Sequence, residues 1–174
     1  QGDILYRDGS GLARLGFGTS GHVLTTKGTG ANPTWEAAVG GKVLQVVADT
    51  DVTGRTTTSA TYVTISGMPS VDITPAATTS KILLLAGFST SEINGGEAFI
   101  TIYRDSTNLA AGSSASFSQI QPSGSRYPMG GGVFLDSPSL DVSITYTIRI
   151  KTDGTLFYNT NGGTVSLVAM EIGA

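Results

Sequence analysis

The sequence predicts an all-β protein, on three observations. The stretch Ser143–Lys151 alternates without a fault, with Ile144, Tyr146, Ile148 and Ile150 on one side and Thr145, Thr147, Arg149 and Lys151 on the other. Period two over that length is a strand with one wet face, as in an antiparallel sheet. The composition is rich in turn residues, with 24 glycines, yet 39% of residues are hydrophobic and fall into short ordered runs. No segment carries a helical period over a useful length. Short β-rich runs separated by turn residues are the pattern of a sandwich or barrel.

The elements follow in order. Lys42–Val47 and Ala60–Ile65 are rich in β-branched residues and bounded by turn residues, so each reads as a strand. Lys81–Phe88 is a continuous apolar run and reads as a strand buried on both faces. Ala98–Arg104 sets Phe99, Thr101 and Tyr103 against Ile100 and Ile102. Gly132–Asp136, Thr155–Tyr158 and Thr164–Ile172 complete the set. Asn161-Gly162-Gly163 is a tight-turn signal, so the last two runs are expected to form a hairpin. Together these runs predict an antiparallel, jelly-roll-like β-sandwich over residues 41–174. The last strand is apolar on both faces, through Val165 and Leu167 on one side and Val168 and Met170 on the other. An isolated sandwich needs only one such face, so one of the two pairs is expected to meet another subunit.

Residues 1–40 differ. Apolar residues come in small groups (Ile4, Leu5 and Tyr6, then Leu12 and Leu15, then Val23 and Leu24, then Trp35), each separated by glycine or turn chemistry. An arm of this length is too short to close a core without a staple or a partner. Tyr6, Phe17 and Trp35 are nonetheless large groups to leave in water. Either the arm packs on its own sandwich, or it winds with copies of itself, where glycines allow close backbone approach.

Gly16-Phe17-Gly18-Thr19-Ser20-Gly21 matches G-x-G-x-x-G, a pattern that can mark a dinucleotide turn. That site needs a helix opening after the glycines. Here His22-Val23-Leu24-Thr25-Thr26 is strand-like and breaks at Lys27-Gly28, so the glycines read as turn residues. There are no cysteines and one histidine, which excludes disulfide frameworks, thiolate metal sites and multi-histidine metal sites. His22 has no orienting carboxylate identifiable in sequence, so it reads as a polar turn or subunit-contact residue. Asp49-Thr50-Asp51 offers alternating oxygens but not a full calcium shell. Glu92, Glu97, Asp105, Asp136, Asp141 and Asp153 include possible glycosidase pairs, yet most fall at strand ends or in loops, where solvated charge is ordinary. We expect no enzyme activity, no cofactor and no metal. Net charge is −3 with no Lys/Arg cluster, which argues against nucleic acid as a partner. No apolar run approaches the roughly 20 residues of a membrane-spanning helix.

The arm carries a family resemblance. Gly2-Asp-Ile-Leu-Tyr-Arg-Asp-Gly-Ser-Gly-Leu-Ala-Arg-Leu15, then Gly18-Thr-Ser-Gly-His-Val-Leu-Thr-Thr26, then Gly30-Ala-Asn-Pro-Thr-Trp-Glu36 resembles a module of phage tail fibre proteins. It departs from that pattern at Gly16-Phe17 and at His22. More loosely, Ile102–Thr107, Phe134–Pro138, Tyr146–Ile150 and Met170–Ile172 resemble heads of phage appendage proteins. The resemblance implies a homotrimeric virion appendage, with an intertwined stem at 1–40 and a head that binds a host-surface glycan or protein. Its stem would bury Tyr6, Leu12, Leu15, Phe17, Val23, Leu24 and Trp35 between subunits, and its head Val168 and Met170. Two loops are the receptor candidates: Ser89–Glu97, with Glu92 and Asn94, and Ser113–Gly131, with Phe117, Arg126, Tyr127 and Met129. Aromatic and arginine side chains on loops are favoured contact residues, though Phe117, Tyr127 and Met129 could equally bury against a neighbouring subunit. A short capsid-attached fibre or decoration protein, binding other virion proteins, is the rival within the class. A carbohydrate-binding module is the rival outside it, weakened by the single tryptophan's place in the arm.

Overall fold

The computed structural model describes residues 2–38, 43–88, 91–110, 116–120, 130–159 and 162–173, without the side chains of Ser91 and Glu92. All the named elements are β-strands, in antiparallel sheets. The chain divides into two compact units, Gln1–Gly41 and Lys42–Ala174.

The first unit is two short hairpins. β1 (Ile4–Arg7) pairs with β2 (Leu12–Leu15), and β3 (His22–Thr25) pairs with β4 (Thr34–Ala37). Asp8 makes the first turn, because its Oδ1 accepts the amides of Ser10 at 2.7 Å and Gly11 at 2.8 Å. This is the Asx geometry that suits Asp to turns. The glycine motif also finds its explanation here. The Trp35 indole Nε1 donates to the Gly16 carbonyl at 2.7 Å. The Trp35 ring lies so close to Gly18 that a Cβ there would sit 2.7 Å from ring carbons. Gly21 has φ +85° in the turn closed by the His22 amide donating to the Thr19 carbonyl at 3.0 Å. Gly18 and Gly21 each answer a local steric demand, and a strand, not a helix, follows.

The second unit is built on two main sheets. One has the order β13 (Gly130–Asp136), β8 (Lys81–Phe88), β16 (Val165–Ile172), β5 (Val43–Asp51). The other runs β11 (Thr107–Asn108), β10 (Ala98–Arg104), β14 (Ile144–Thr152), β7 (Ser70–Ile73), with β12 (Ser118–Ile120) also on β10. A small third sheet is β6 (Arg55–Thr57), β15 (Thr155–Tyr158), β9 (Ser91–Asn94). The pairing is nested: β5 meets β16, β7 meets β14, β8 meets β13 and β10 meets β12.

The two main sheets share one core. Ile82, Leu84, Phe88, Val165, Leu167 and Ala169 come from one inner face, and Val71, Ile73, Ile100, Ile102, Ile144, Tyr146, Ile148 and Ile150 from the other. The alternation seen in the sequence therefore maps directly onto inside and outside.

Three expectations are corrected. Ala60–Ile65 is not a strand, since only Val63 bridges, to Ile150; the strand beside β14 is instead Ser70–Ile73. Thr155–Tyr158 and Thr164–Ile172 form no hairpin, because β5 and β8 occupy both edges of β16, while β15 pairs with β6 and β9. Lys81–Phe88 is not buried on both faces: Leu83 and Leu85 remain partly exposed.

Candidate functional site

The most unusual surface of the second unit is the outer face of the β13-β8-β16-β5 sheet. Its side chains form cross-strand rows. Leu135 faces Leu83, Leu83 faces Met170, and Met170 faces Val46. In the next row Val133, Leu85, Val168 and Ala48 stand in line. Val133 is 67% exposed, Val46 54% and Leu135 49%. Two unbroken apolar rows across four strands are not what a solvated sheet face carries. The outer face of β14 shows the ordinary case, with Thr145, Thr147, Arg149 and Lys151. Contiguous exposed apolar surface marks an interaction site.

The structure separates the two alternatives raised for the last strand. Val165 and Leu167 are fully buried in the chain's own core. Val168 and Met170 lie on the outer face, partly exposed. Val46, Leu83, Leu85, Val133 and Leu135 join them, and sequence reading missed these. The alternation in β13 was a usable signal, but nothing local says that its neighbours are apolar on the same side.

In the arm, Leu5 is 72% exposed, Leu12 83% and Phe17 73%, with Val23 and Leu24 each at 47%. Tyr6 and Leu15 lie on the opposite hairpin face from Leu12 and are half-buried, as is Trp35. His22 opens β3 at the 19–22 turn.

The receptor candidates scatter. Phe117 is half-buried against the core, its ring 5.2 Å from that of Phe134 in a tilted arrangement. Its position serves packing within the chain. Asn94 is exposed at the end of β9, opposite Thr155. Glu92 lies on the same strand opposite Phe157, with its side chain outside the described set. Arg126, Tyr127 and Met129 lie outside the described residues.

The acidic residues hold structure. Both carboxylate oxygens of Asp136 on β13 accept from Arg104 Nη1 on β10, at 2.9 Å each, and its Oδ2 also accepts from the Tyr146 hydroxyl on β14 at 2.7 Å. This trio ties the two main sheets together. Burial, followed by the Asp136 carboxylate, pushes the Tyr146 phenol far above its ordinary range. Asp51 pairs with Arg55 at 3.0 Å, which holds the carboxyl below its usual value. Nearby, burial pushes Tyr158 up to about 12. Asp49 accepts the Ser70 amide at 3.0 Å, so Asp49 and Asp51 each have a protein partner. Glu97 accepts from Gln119 Nε2 at 2.8 Å, and Asp153 accepts the Glu97 amide. Asp105 accepts the Thr145 amide at 3.1 Å. Among the described residues no group of three or more potential ligands is placed to hold a metal ion. Among the described residues no helix is long and apolar enough to cross a membrane.

Glu171 is a buried carboxylate that sequence reading passed over. Its Oε1 accepts the Ala76 amide and its Oε2 accepts Gln45 Nε2, each at 2.7 Å. Burial alone raises its pKa, but hydrogen bonds from Ser80, Gln45 and the Ala76 amide outweigh that and leave it below the ordinary range.

No protein-family model and no curated protein matches the chain. Among solved structures, it is similar to the infectious bursal disease virus VP2 subviral particle, at 16% identity and TM-score 0.35, over 94% of this chain and 44% of that one. It is likewise similar to T=1 particles derived from infectious bursal virus, at 16% identity and TM-score 0.36, over 94% of this chain and 43% of that one. The chain thus spans less than half the length of either.

Proposed function

We propose that this chain is a phage virion structural protein, a homotrimeric tail-fibre-type appendage whose head binds the host cell surface. The observation that carries the assembly is the apolar outer face formed by Val46, Leu83, Leu85, Val133, Leu135, Val168 and Met170. A closed ring of copies covers such a face on every subunit, which an open chain of contacts does not. The exposed Leu5, Leu12, Phe17, Val23 and Leu24 make the same demand in the arm. The tail-fibre assignment rests on the resemblance of residues 2–36. The nested strand pairing supports reading the head as a jelly roll. Three equal heads would convert weak single contacts into avidity.

Light scattering on the full chain tests the assembly. The expected mass is near three times 17.8 kDa. A mass of 17.8 kDa would overturn it. Labelled antibody on virions separates a tail appendage from a capsid decoration, and binding of the protein to host cells separates attachment from a purely structural role.

A further inference from the structure

The opposite side of the sandwich has different chemistry. On the outer face of β10 and β14, Lys151 Nζ lies 4.8 Å from the Tyr62 ring centroid and 5.0 Å from that of Phe99. Arg149 lies 4.0 Å over the Tyr103 ring and donates from Nη2 to the Asp105 carbonyl at 3.0 Å. Tyr62 and Tyr103 are themselves 6.1 Å apart. The sheet register causes this clustering. Phe99 stands opposite Lys151, Thr101 opposite Arg149, and the Val63–Ile150 bridge sets Tyr62 beside Lys151.

Arg104 on β10 is neutralised by Asp136, as is Arg55 on β6 by Asp51. Among the described residues, Arg149 and Lys151 have no carboxylate within ion-pair distance. Arg149 Nε and Thr147 Oγ1, on the same strand, are buried without a hydrogen-bond partner among the described residues. Beside Lys151, at the Asp153 end of the same face, is an open cavity of about 180 Å³ lined by Ala60, Phe99, Lys151, Thr152 and Asp153. That is below the roughly 300–1,000 Å³ of a pocket for a drug-sized ligand, so it fits one ring rather than a whole small molecule.

We propose that this face is a binding site for an acidic saccharide of the uronic-acid type. Lys151 at the cavity takes the carboxylate through a charge-assisted hydrogen bond, and Arg149, two residues back on the same strand face, adds positive charge to that side. The exposed parts of the Tyr62 and Phe99 rings supply apolar area against the sugar ring. Asp153, whose Oδ1 already accepts the Glu97 amide, presents a carboxylate at the cavity rim. It accepts from sugar hydroxyls and confines the ligand's own anionic group to the Lys151–Arg149 side. A nucleic acid fits poorly, because two isolated cations on a chain of net charge −3 offer no track for repeated phosphates. The proposal rests on the host-binding part of the function above and gives it a chemistry, on a sheet face rather than on the loops.

The test is calorimetric titration of the full chain with trigalacturonic acid, with maltotriose and hexaglutamate as controls. Saturable binding of trigalacturonate is expected, weakened about tenfold by Lys151→Gln, the loss of one charged hydrogen bond. Tyr62→Ala weakens it as well, and neither variant alters the mass in solution. Maltotriose binds at least about tenfold more weakly for want of the carboxylate. No saturation by about 10 mM trigalacturonate, beyond the range of a weak single contact, would sink the proposal. So would equal binding of hexaglutamate, or a Lys151→Gln protein that binds unchanged. The titration reads each chain, so it succeeds or fails independently of the trimer: a monomeric mass with intact binding refutes only the assembly, and a trimeric mass without binding refutes only this site.

Discussion

Gly18 has no room for a side chain, and the cause is a single ring. A Cβ built there meets Trp35 ring carbons at 2.7 Å. Gly18→Ala is therefore expected to displace the indole and to destabilise the arm by about 1–3 kcal/mol, the usual cost of overpacking. Trp35 is the sole tryptophan, so its fluorescence reports that loosening directly. Glu171 sets a second residue-scale expectation. Its pKa is lower folded than unfolded, so its stabilising contribution is present above the ordinary carboxylate range. That contribution is lost as pH falls toward the folded value, because the unfolded chain takes up the proton first. Asp51 acts with the same sign through Arg55. Urea midpoints measured from neutral to acid pH should fall for the native protein and fall less steeply for Glu171→Gln. That variant also loses about 1–3 kcal/mol at neutral pH, because it replaces an acceptor oxygen with a donor opposite the Ala76 amide or Gln45. Neither residue's role was legible in the sequence. A G-x-G spacing does not say that an indole seventeen residues later will cover it, and a glutamate in an alternating strand looks solvated until its neighbours are known.

At the scale of elements, Arg104, Asp136 and Tyr146 join β10, β13 and β14 across the core. Asp136→Ala leaves a partly buried guanidinium and a buried phenol without their acceptor. It should lower stability by about 1–3 kcal/mol, the cost of leaving such donors unsatisfied, measurable by denaturant unfolding. Tyr146→Phe removes only the hydroxyl and is expected to cost about 1–2 kcal/mol. Strand identity was legible where alternation was long: β14 and β16 fall where the pattern puts them. Pairing was not. Asn161-Gly162-Gly163 signals that the chain reverses, but turn chemistry constrains only local dihedrals. Which strand lies alongside is decided by which inner faces bury together, and β16 takes β5 and β8. For the same reason Ala60–Ile65, β-branched as it is, lies mostly off the ladder, while the short Ser70–Ile73 joins it through the buried Val71 and Ile73.

At the scale of the whole molecule, the two outer faces of the sandwich differ in kind, one apolar and one cationic and aromatic. Val168→Glu combined with Met170→Lys puts charge at the centre of the apolar face without touching the core. For the proposed trimer, the pair is expected to reduce the mass in solution to that of one copy while leaving the circular dichroism of the sheets unchanged. A variant that remained trimeric would place the subunit contact elsewhere, in the arm.

The sequence by itself determined the β class, the inside and outside of the strand at Ile144–Thr152, and the difference in character between residues 1–40 and the rest. Those are properties of local periodicity and composition, readable within a few residues. The tertiary structure alone decided that Val46, Leu83, Leu85, Val133, Leu135, Val168 and Met170 form one face, and that Tyr62, Phe99, Tyr103, Arg149 and Lys151 form another. Both faces are made of residues far apart in the chain, brought into register by ladder pairing. Register depends on the packing of two sheets against one another, which no short window of sequence contains.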